Sequence, residues 1–441
     1  KKMITLVYRL SPNGPPIIRE ALESLGWKEF DEELDHESQW NLWWKSQRFT
    51  KSQIENAYDY QRFNHIPRSS QLTRKDTLIR TMRRYRSIYG GIFNIIPKSF
   101  IMPNDYQRFM NIHEKLEREK EEAPIWISKP ANAARGKDIF LFKDPNELIN
   151  DQQTVVQAYI QNPMTIHGYK FDLRLYVLVT SYHPLTIYFY REGLVRFSTE
   201  KYEQGNLKNM YVHLTNASIN KHGPHYEKMK AGIGAGSKWT FAQLNAHLKQ
   251  ETTIPIDALW QRIEHVIILT LLSYVAEIHP SQKCFELYGF DVLLDDKLKP
   301  YLLEVNFCPA LSVDGEVDRT VKMPLIQDLV NTIPFELLAK NRKKSKKMEQ
   351  SSGSIYQATS IKTTKRQPLY TTPIKKKNKL NVPRLPKHMR LKDLNEGAGQ
   401  FERIFPFDQA SLNNILEVSR CGMADDSMKA IIADIKSREK G

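Results

Sequence analysis

The chain has 441 residues, of which 41% are hydrophobic and 10% aromatic, and it carries a formal net charge of +15. This length and composition exclude a disordered or fibrous chain and predict a globular protein with more than one core. Three scattered cysteines exclude a disulfide framework, and the longest uncharged apolar run, Val266 to Ala276, is too short for the roughly 20 residues of a membrane helix. No signal peptide opens the chain, so we expect a soluble, cytoplasmic protein without a membrane partner.

The first part of the chain alternates short strands and helices. Lys2 to Leu10 predicts an opening strand, and Pro16 to Leu25 predicts a short helix that ends at Gly26. Thr73 to Tyr89 is a strongly basic amphipathic helix. Ala123 to Asp144 reads as strand, loop and strand, and Thr154 to Ile160 as a further strand.

The second part is richer in strands. The segments FDLRLYVLV and LTIYFYREGLVRFS alternate polar and apolar residues, which is typical of antiparallel strands with one face in water. Trp260 to Glu277 predicts a long apolar helix, and Val321 to Leu338 predicts a helix that closes the fold.

Most of the excess positive charge lies in one segment near the end of the chain. Between Lys340 and Lys392 there are 17 Lys and Arg residues and one acid, Glu349. The segment is also rich in Ser, Thr and Pro, so we expect it to be flexible. It could bind a polyanion such as nucleic acid, an acidic membrane or an acidic protein surface, or simply act as a solubilising or nuclear-targeting linker.

A predicted hairpin, ELYGFDVLLDDKLKPYLLEVN, places acids inside an apolar strand pair. If Leu294 pairs with Tyr301, Asp291 lies opposite Glu304, and Asn306 lies on the same face opposite Gly289. Two carboxylates and an amide oxygen form an all-oxygen site that suits Mg²⁺. The alternative is a structural ion pair between these acids and Arg174 or Arg196.

Residues upstream of the hairpin could hold a polyphosphate beside such a metal. WISKPANAARGKDIF offers a strand with Lys129 and a loop with Arg135 and Gly136, whose backbone amides could surround phosphate oxygens. VVQAYI could present backbone groups to a purine. Alternation along GYKFDLRLYVLV places Lys170, Asp172 and Arg174 on one strand face.

An ordered series of segments resembles the tubulin–tyrosine ligase-like family, in particular its polyglutamylase branch. The series is LTRKDTL, WISKP with RG, VVQAYI, YKFDLRLYVLV, EGLVRF, HLTNASINK, GSKWT, CFELYGFDVLLD and YLLEVNFCPALS. The resemblance spans about Leu6 to Leu338. It implies an α+β, ATP-grasp-like fold in which the nucleotide lies between two mixed sheet and helix lobes.

The resemblance also implies a role for each matching residue. It implies that ATP is bound by Lys75, Lys129, Arg135, Gly136, Gln157, Ala158, Tyr159, Ile160, Lys170, Phe171, Asp172, Thr215 and Asn216. It implies that Mg²⁺ is bound by Asp291, Glu304 and Asn306. Arg174, Arg196, Lys129 and Glu304 would be catalytic, and Arg196, Lys238 and Lys322 would bind the incoming amino acid.

The expected domain order is an N-terminal α/β lobe over 1–72, a central lobe over 73–165 and a C-terminal lobe with the metal site over 166–338. A basic flexible linker over 339–400 and a short helical tail over 401–441 would follow.

The implied activity is an ATP- and Mg²⁺-dependent ligase that joins free L-glutamate to the acidic tails of tubulin. Such a protein would be monomeric and associated with microtubules, with the cilium or basal body as further candidate places.

Three other functions remain open on the sequence. Relatives commonly have glycine where this chain has Asp138, and a carboxylate near phosphate is unfavourable, so a catalytically silent microtubule-binding scaffold is one alternative. A ligase of the same type that uses glycine or tyrosine is another. Binding of nucleic acid by the basic segment has only charge in its favour.

Overall fold

The structure is a computed structural model. It describes residues 5–120, 123–131, 136–148, 153–220, 223, 238–251, 255–340, 389–421 and 425–438. Three β-sheets and the helices around them confirm the predicted α+β class. The expectations for Arg135 and for most of the basic segment, residues 341–388, lie outside the described residues.

The helices have these bounds in chain order. They include α1 (Pro16–Ser24), α2 (Lys51–Glu55), α3 (Ser70–Thr73), α4 (Lys75–Tyr89), α5 (Tyr106–Lys120), α6 (Met210–His213), α7 (Ala217–Asn220), α8 (Phe241–Glu251), α9 (Ile256–Leu272), α10 (Glu316–Thr332), α11 (Gln409–Cys421) and α12 (Asp425–Arg438). The predicted helices at Trp260 and Val321 begin earlier than expected, because Pro255 and Gly315 mark their starts rather than the first apolar residue.

The first sheet is parallel and lies within the predicted N-terminal lobe. Its strands are β1 (Val7–Leu10), β2 (Lys28–Glu29), β3 (Leu42–Trp44) and β4 (Arg62–Phe63), in the order β2-β1-β3-β4. The amphipathic helix α1 buries Ile17, Ile18, Ala21 and Leu22 and packs against α10.

The second sheet is antiparallel and lies within the predicted central lobe. Its strands are β5 (Ser99–Ile101), β6 (Trp126–Pro130), β7 (Phe140–Phe142) and β8 (Thr154–Ala158), in the order β5-β8-β6-β7. Helix α5 covers one face of this sheet, where Phe100, Phe109 and Trp126 form a small core. On the other face, Ile127 and Leu141 pack against Leu214, and Lys129 and Gln157 line the cleft described below.

The third sheet has eight strands and forms the centre of the molecule. They are β9 (Thr165–Ile166), β10 (Tyr169–Tyr182), β11 (Leu185–Tyr190), β12 (Leu194–Lys201), β13 (Lys238–Thr240), β14 (Glu286–Leu294), β15 (Pro300–Asn306) and β16 (Phe401–Phe405). The long strand β10 pairs with β14 along one edge, and with β12 and then β11 along the other. All these pairs are antiparallel.

The expectation that these strands keep one face in water is wrong. On β10, Leu173, Leu175 and Val177 face a large core, whereas Tyr176 and Leu178 face a second core. The first core is shared with α9, and the second with α1 and α10. Both faces are therefore covered, and the polar residues Lys170, Asp172 and Arg174 mark the part of the second face that is left to the functional site.

The end of the chain also differs from expectation. Residues 401–441 were expected to form a short helical tail, but β16 adds a strand to the edge of the large sheet by pairing with β11. Phe401 and Phe405 are buried, and α11 and α12 contribute to the large core. The hydrophobic pattern of Phe401–Phe405 is too short to predict a strand by itself. The segment forms a strand because it pairs with β11.

The predicted linker over 339–400 is likewise structured at both ends. Ala339 is buried, and Met389, Leu391 and Leu394 pack against the large core. The boundaries proposed at 72, 165 and 338 stay a prediction.

Candidate active site

A cleft lies between the face of the second sheet opposite α5 and the polar part of the third. It encloses about 910 Å³, part of it open to solvent. The predicted site residues that line it are Lys75, Lys129, Gly136, Gln157, Ala158, Tyr159, Ile160, Lys170, Asp172, Arg196, Thr215, Asn216, Asp291 and Glu304. The structure thus brings together residues that are more than 200 positions apart in the sequence.

Several lining residues were not found by sequence reasoning. They are Pro97, Ile127, Pro130, Lys137, Ile139, His213, Leu214, Leu293 and Leu303. Most are apolar and carry no chemical signal. His213 is the first residue of the HLTN motif, whose Thr215 and Asn216 were predicted to bind ATP. Its position in this motif could have predicted that it lines the cleft.

The hairpin of β14 and β15 places its two acids as predicted. Asp291 pairs directly with Glu304, and Gly289 pairs with Asn306. The predicted pair of Leu294 with Tyr301 is wrong, because Leu294 pairs with Pro300 and Leu293 with Tyr301. A β-bulge at Leu303 absorbs the difference of one residue and turns Glu304 onto the face of Asp291.

Both oxygens of Asp291 are bound by guanidinium groups. Arg174 donates from Nε at 2.5 Å and from Nη2 at 3.0 Å, and Nη2 of Arg196 lies 2.8 Å from Oδ2. Burial by itself would raise the pKa of Asp291, but these two arginines hold it well below its ordinary value. The carboxyl group is therefore ionised, and the structural ion pair considered as an alternative is present.

The ion pair belongs to a ladder of charges across three strands. Asp172 lies directly opposite Arg196, and Arg174 lies directly opposite Asp291. Arg196 donates to both oxygens of Asp172, at 2.7 Å and 2.6 Å. Because each buried charge faces an opposite charge, the ladder offsets much of the cost of burial. Arg174 does not line the cleft, whereas Arg196 does.

The donor set at the hairpin fits a hard cation such as Mg²⁺. Glu304 opens to the cleft with 29% of its side chain exposed, 3.5 Å from Nζ of Lys75, and it accepts a hydrogen bond from Asn306. The two opposed carboxyl groups and the amide oxygen of Asn306 are suitable ligands, although Arg174 and Arg196 also bind Asp291. In the described part of the chain, no group of three or more His, Cys, Asp or Glu side chains could hold a metal, and the hairpin itself offers two carboxyl groups and one amide.

Two lysines supply positive charge to the cleft. Lys129 Nζ donates to Gln157 Oε1 at 2.7 Å, and burial lowers its pKa to about 8, partly opposed by Glu304 and Asp291. Lys170 donates to the hydroxyl of Tyr159 at 2.9 Å, and burial together with the charge of Lys129 lowers its pKa to about 7. Both lysines can thus respond to an anion that enters the cleft.

The loop after β6 approaches the cleft through Gly136. Its φ of +76° is one that glycine adopts easily, and a Cβ there would lie 2.3 Å from Ile219 Cδ1. Asp138 has a φ of +56°, is exposed and does not line the cleft. The Asp138 carboxylate is therefore not part of the cleft wall, although Lys137 beside it is, and an effect of Asp138 on ATP binding stays a prediction.

Three further predicted residues lie away from the cleft wall, in addition to Arg174 and Asn306, which do not line it either. Phe171 was expected at the nucleotide, but alternation along β10 places its side chain in the large core against Phe197. Lys238 Nζ and Lys322 Nζ each lie 2.6 Å from the buried carboxylate of Asp318. Because Lys238 pairs with Arg196 across β13 and β12, this second group of charges adjoins the first.

Comparison with known proteins shows a similarity to one family over most of the chain. The sequence profile of the tubulin-tyrosine ligase family matches residues 52–345. The chain is 42% identical over 330 residues to the human (Homo sapiens) "Probable tubulin polyglutamylase TTLL2", an alignment that covers 74% of this chain and 56% of the relative. Its mouse (Mus musculus) counterpart is 42% identical over 341 residues, with 77% and 63% covered.

A third relative is less similar to the chain. Mouse "Tubulin polyglutamylase TTLL5" is 37% identical over 343 residues, covering 75% of this chain and 25% of the relative. The chain therefore spans less than two thirds of the length of these relatives. Among the helices described here, none has the length and apolar character needed to cross a membrane.

Proposed function

Because the chain belongs to the tubulin-tyrosine ligase family, whose fold is ATP-grasp-like, we propose that it is an ATP- and Mg²⁺-dependent ligase that adds glutamate to the acidic tails of tubulin. The observation that carries the proposal is the direct opposition of Asp291 and Glu304 in a cleft that also contains Lys129 and Lys170. The relatives named as tubulin polyglutamylases support glutamate and tubulin as the substrates.

ATP would lie along the cleft with its base at one end and its phosphates at the other. Gln157, Ala158, Tyr159 and Ile160 would frame the base, and Lys170 would donate to it. Asp172, which accepts a hydrogen bond from Thr215 at 2.7 Å, would hold the ribose together with Thr215 and Asn216. The phosphates would be bound by Lys75, Lys129, Gly136 and Arg135.

Mg²⁺ would be held by Asp291, Glu304 and Asn306, where it would neutralise phosphate charge during transfer. An oxygen of the acceptor carboxylate attacks the γ-phosphorus, the bond to the β-phosphate oxygen breaks, and ADP leaves. Lys129 remains beside the transferring group and offsets its charge. The amine of free glutamate then attacks the acyl phosphate, loses a proton and releases phosphate, so that an isopeptide bond forms.

The cationic wall around Arg196 would bind the two acidic reactants. Arg174, Arg196, Lys238 and Lys322 all have acidic partners within the protein. Each arginine has five N–H donors, so it could bind a substrate carboxylate while it keeps its acidic partner in the protein. Without such positive charge, repulsion between the glutamate and an acidic tail would oppose their encounter.

Replacement of Glu304 by Gln tests the proposal. The change keeps the shape of the side chain but removes the charge, so we expect transfer of glutamate to tubulin to fall by roughly a hundredfold or more. Mass spectrometry of tubulin peptides after incubation with ATP and Mg²⁺ measures the product. Thermal unfolding controls for the fold. Unchanged transfer by the folded variant would contradict the assigned metal site.

One observation favours the silent scaffold as a second candidate function. Both oxygens of Asp291 are engaged by Arg174 and Arg196, as in a purely structural ion pair. A folded protein that binds microtubules without ATP turnover would support the scaffold. Parallel incubations with glycine and tyrosine distinguish the remaining ligases, because the mass added to the peptide identifies the amino acid.

The proposed acceptor also gives the basic segment a partner. Residues 341–388 lie outside the described residues, but their charge would attract the acidic tails of microtubules. We propose a monomeric, cytoplasmic protein that associates with microtubules, including those of the cilium or basal body.

A further inference from the structure

A chain of three hydrogen bonds runs along the base end of the cleft. Lys170 Nζ donates to the hydroxyl oxygen of Tyr159 at 2.9 Å, and that hydroxyl lies 2.8 Å from Nδ1 of His213. Nε2 of His213 lies 2.8 Å from the main-chain oxygen of Asn206. Lys170, Tyr159 and His213 all line the cleft, and each has less than a tenth of its surface exposed. His213 has no role in the proposed reaction so far.

The direction of every hydrogen bond in this chain follows from its last member. A carbonyl oxygen can only accept, so Nε2 of His213 carries a hydrogen. Burial and the nearby charge of Lys170 lower the pKa of His213, so its ring is neutral and Nδ1 is an acceptor. Tyr159 therefore donates its hydroxyl hydrogen to His213. The same hydroxyl oxygen accepts a hydrogen bond from Lys170.

The same arrangement fixes the ammonium group of Lys170. Burial raises the pKa of Tyr159, so the residue stays a neutral phenol that can donate and accept at once. The ammonium group also lies 4.4 Å from the centre of the Tyr159 ring. One of its three N–H donors is used at Tyr159, and two are left for acceptors such as the ring nitrogens of a purine.

We propose that His213 is a positioning residue for the nucleotide base, because through Tyr159 it orients the N–H donors of Lys170 toward that base. The inference rests on the proposed function, since it requires ATP to occupy the cleft. It assigns to the histidine of the HLTN motif a task that the reaction itself does not require, and it predicts an effect on the base end of ATP only.

Tyr188 offers an internal control for this inference. Its hydroxyl donates to the main-chain oxygen of Asn395 at 2.9 Å, and the residue does not line the cleft. Replacement of Tyr188 by Phe removes the hydroxyl group of a buried tyrosine but leaves the chain from Lys170 to Asn206 intact. We therefore expect this variant to bind ATP as the unchanged protein does.

The test measures the binding of ATP and of tripolyphosphate, which has no base, by calorimetry. We expect His213→Phe to weaken ATP binding roughly tenfold, as for the loss of one hydrogen bond, and to leave tripolyphosphate binding unchanged. His213→Asn, which keeps an acceptor near the position of Nδ1, should recover part of the loss. In a Tyr159→Phe background, His213→Phe should have no further effect, because its influence passes through Tyr159.

Several outcomes would overturn the inference. They are unchanged ATP binding by His213→Phe, equal weakening of ATP and tripolyphosphate, additive losses in the double variant, or the same loss in Tyr188→Phe. If His213→Phe does not fold, the ATP affinity of His213→Asn is compared with that of Tyr188→Phe, and equal affinities would overturn the inference. Failure of the unchanged protein to bind ATP would instead overturn the proposed function, and the inference with it.

Discussion

Lys129 and Lys170 place positive charge where the nucleotide is proposed to bind, and burial makes that charge costly. In the ligand-free protein the pKa is about 8 for Lys129 and about 7 for Lys170. An entering phosphate or purine acceptor favours the protonated form and raises both pKa values. The two lysines therefore couple ATP binding to the uptake of protons.

This coupling predicts the pH dependence of ATP affinity. Above pH 7, first Lys170 and then Lys129 are neutral in the free protein and must gain a proton on binding, so affinity should fall from about pH 7 to about pH 9. Calorimetry in buffers of different ionisation enthalpy measures the protons taken up. In Lys170→Met, the part of the decrease in ATP affinity that begins near pH 7 should be absent. An affinity that rises with pH would contradict the prediction.

Asp138 is the departure from relatives that raised doubt about activity. Its left-handed φ of +56° suits glycine better than aspartate, and its side chain is exposed outside the cleft. We expect Asp138→Gly to raise the free energy of unfolding by up to about 1 kcal/mol and to leave ATP affinity unchanged. Thermal unfolding and calorimetry measure these quantities. Much tighter ATP binding by the variant would show that Asp138 does obstruct the site.

The charge ladder requires strand β14 to lie close to Arg174 of β10 and to Pro309, which follows β15, and Gly289 of β14 is the point of closest approach. Gly289 leaves room there, since a Cβ would lie 2.9 Å from Pro309 Cβ and 3.3 Å from Arg174 Cδ. A side chain at this position would push Arg174 away from Asp291. Glycine is therefore required at position 289 because the Arg174 side chain packs against it, and not because the backbone there has a positive φ.

Gly289→Ala should therefore destabilise the protein and weaken the ladder. Overpacking of this kind costs roughly 1–3 kcal/mol. Thermal unfolding measures the loss, and Gly205→Ala is the matched control, because a Cβ at Gly205 has no atom within 4 Å. Equal stability of the two variants would mean that the strand shifts easily and that the ladder does not depend on this contact.

For the whole molecule, the C-terminal residues complete the core rather than extend from it. β16 covers the edge of β11, and Phe401, Phe405 and the helices α11 and α12 bury apolar surface against the large sheet. An exposed strand edge beside uncovered apolar residues favours aggregation. The basic segment between Lys340 and Met389 therefore joins two parts of one folded body.

Two variants of this region should behave differently. Removal of residues 389–441 should give an insoluble or strongly destabilised protein. Replacement of residues 341–388 by an uncharged Gly/Ser segment of equal length should leave the fold and ATP binding intact and weaken microtubule binding at low salt. Solubility, calorimetry and cosedimentation with microtubules measure these effects. A soluble truncated protein that binds ATP normally would contradict the role assigned to the C-terminal residues.

The sequence by itself determined the features that depend on neighbouring residues. Alternation along each strand placed Lys170, Asp172 and Arg174 on one face, and the apolar patterns located most strands and helices of the fold. The pairing of Asp291 with Glu304 was predicted from an assumed pair of Leu294 with Tyr301, and it holds because the bulge at Leu303 corrects that pair by one residue. The order of the motifs identified the family, since such a series is specific even where each member is common.

The tertiary structure decided what depends on contacts between distant residues. The contact of Arg174 with Asp291 spans 117 positions, and that of Tyr159 with His213 spans 54. The bulge at Leu303, the burial of Phe171 and the addition of β16 to the sheet likewise follow from the elements packed around them. A local sequence pattern contains no information about such neighbours. They are selected by the free energy of burying apolar surface and pairing charges, and only the folded chain brings these groups into contact.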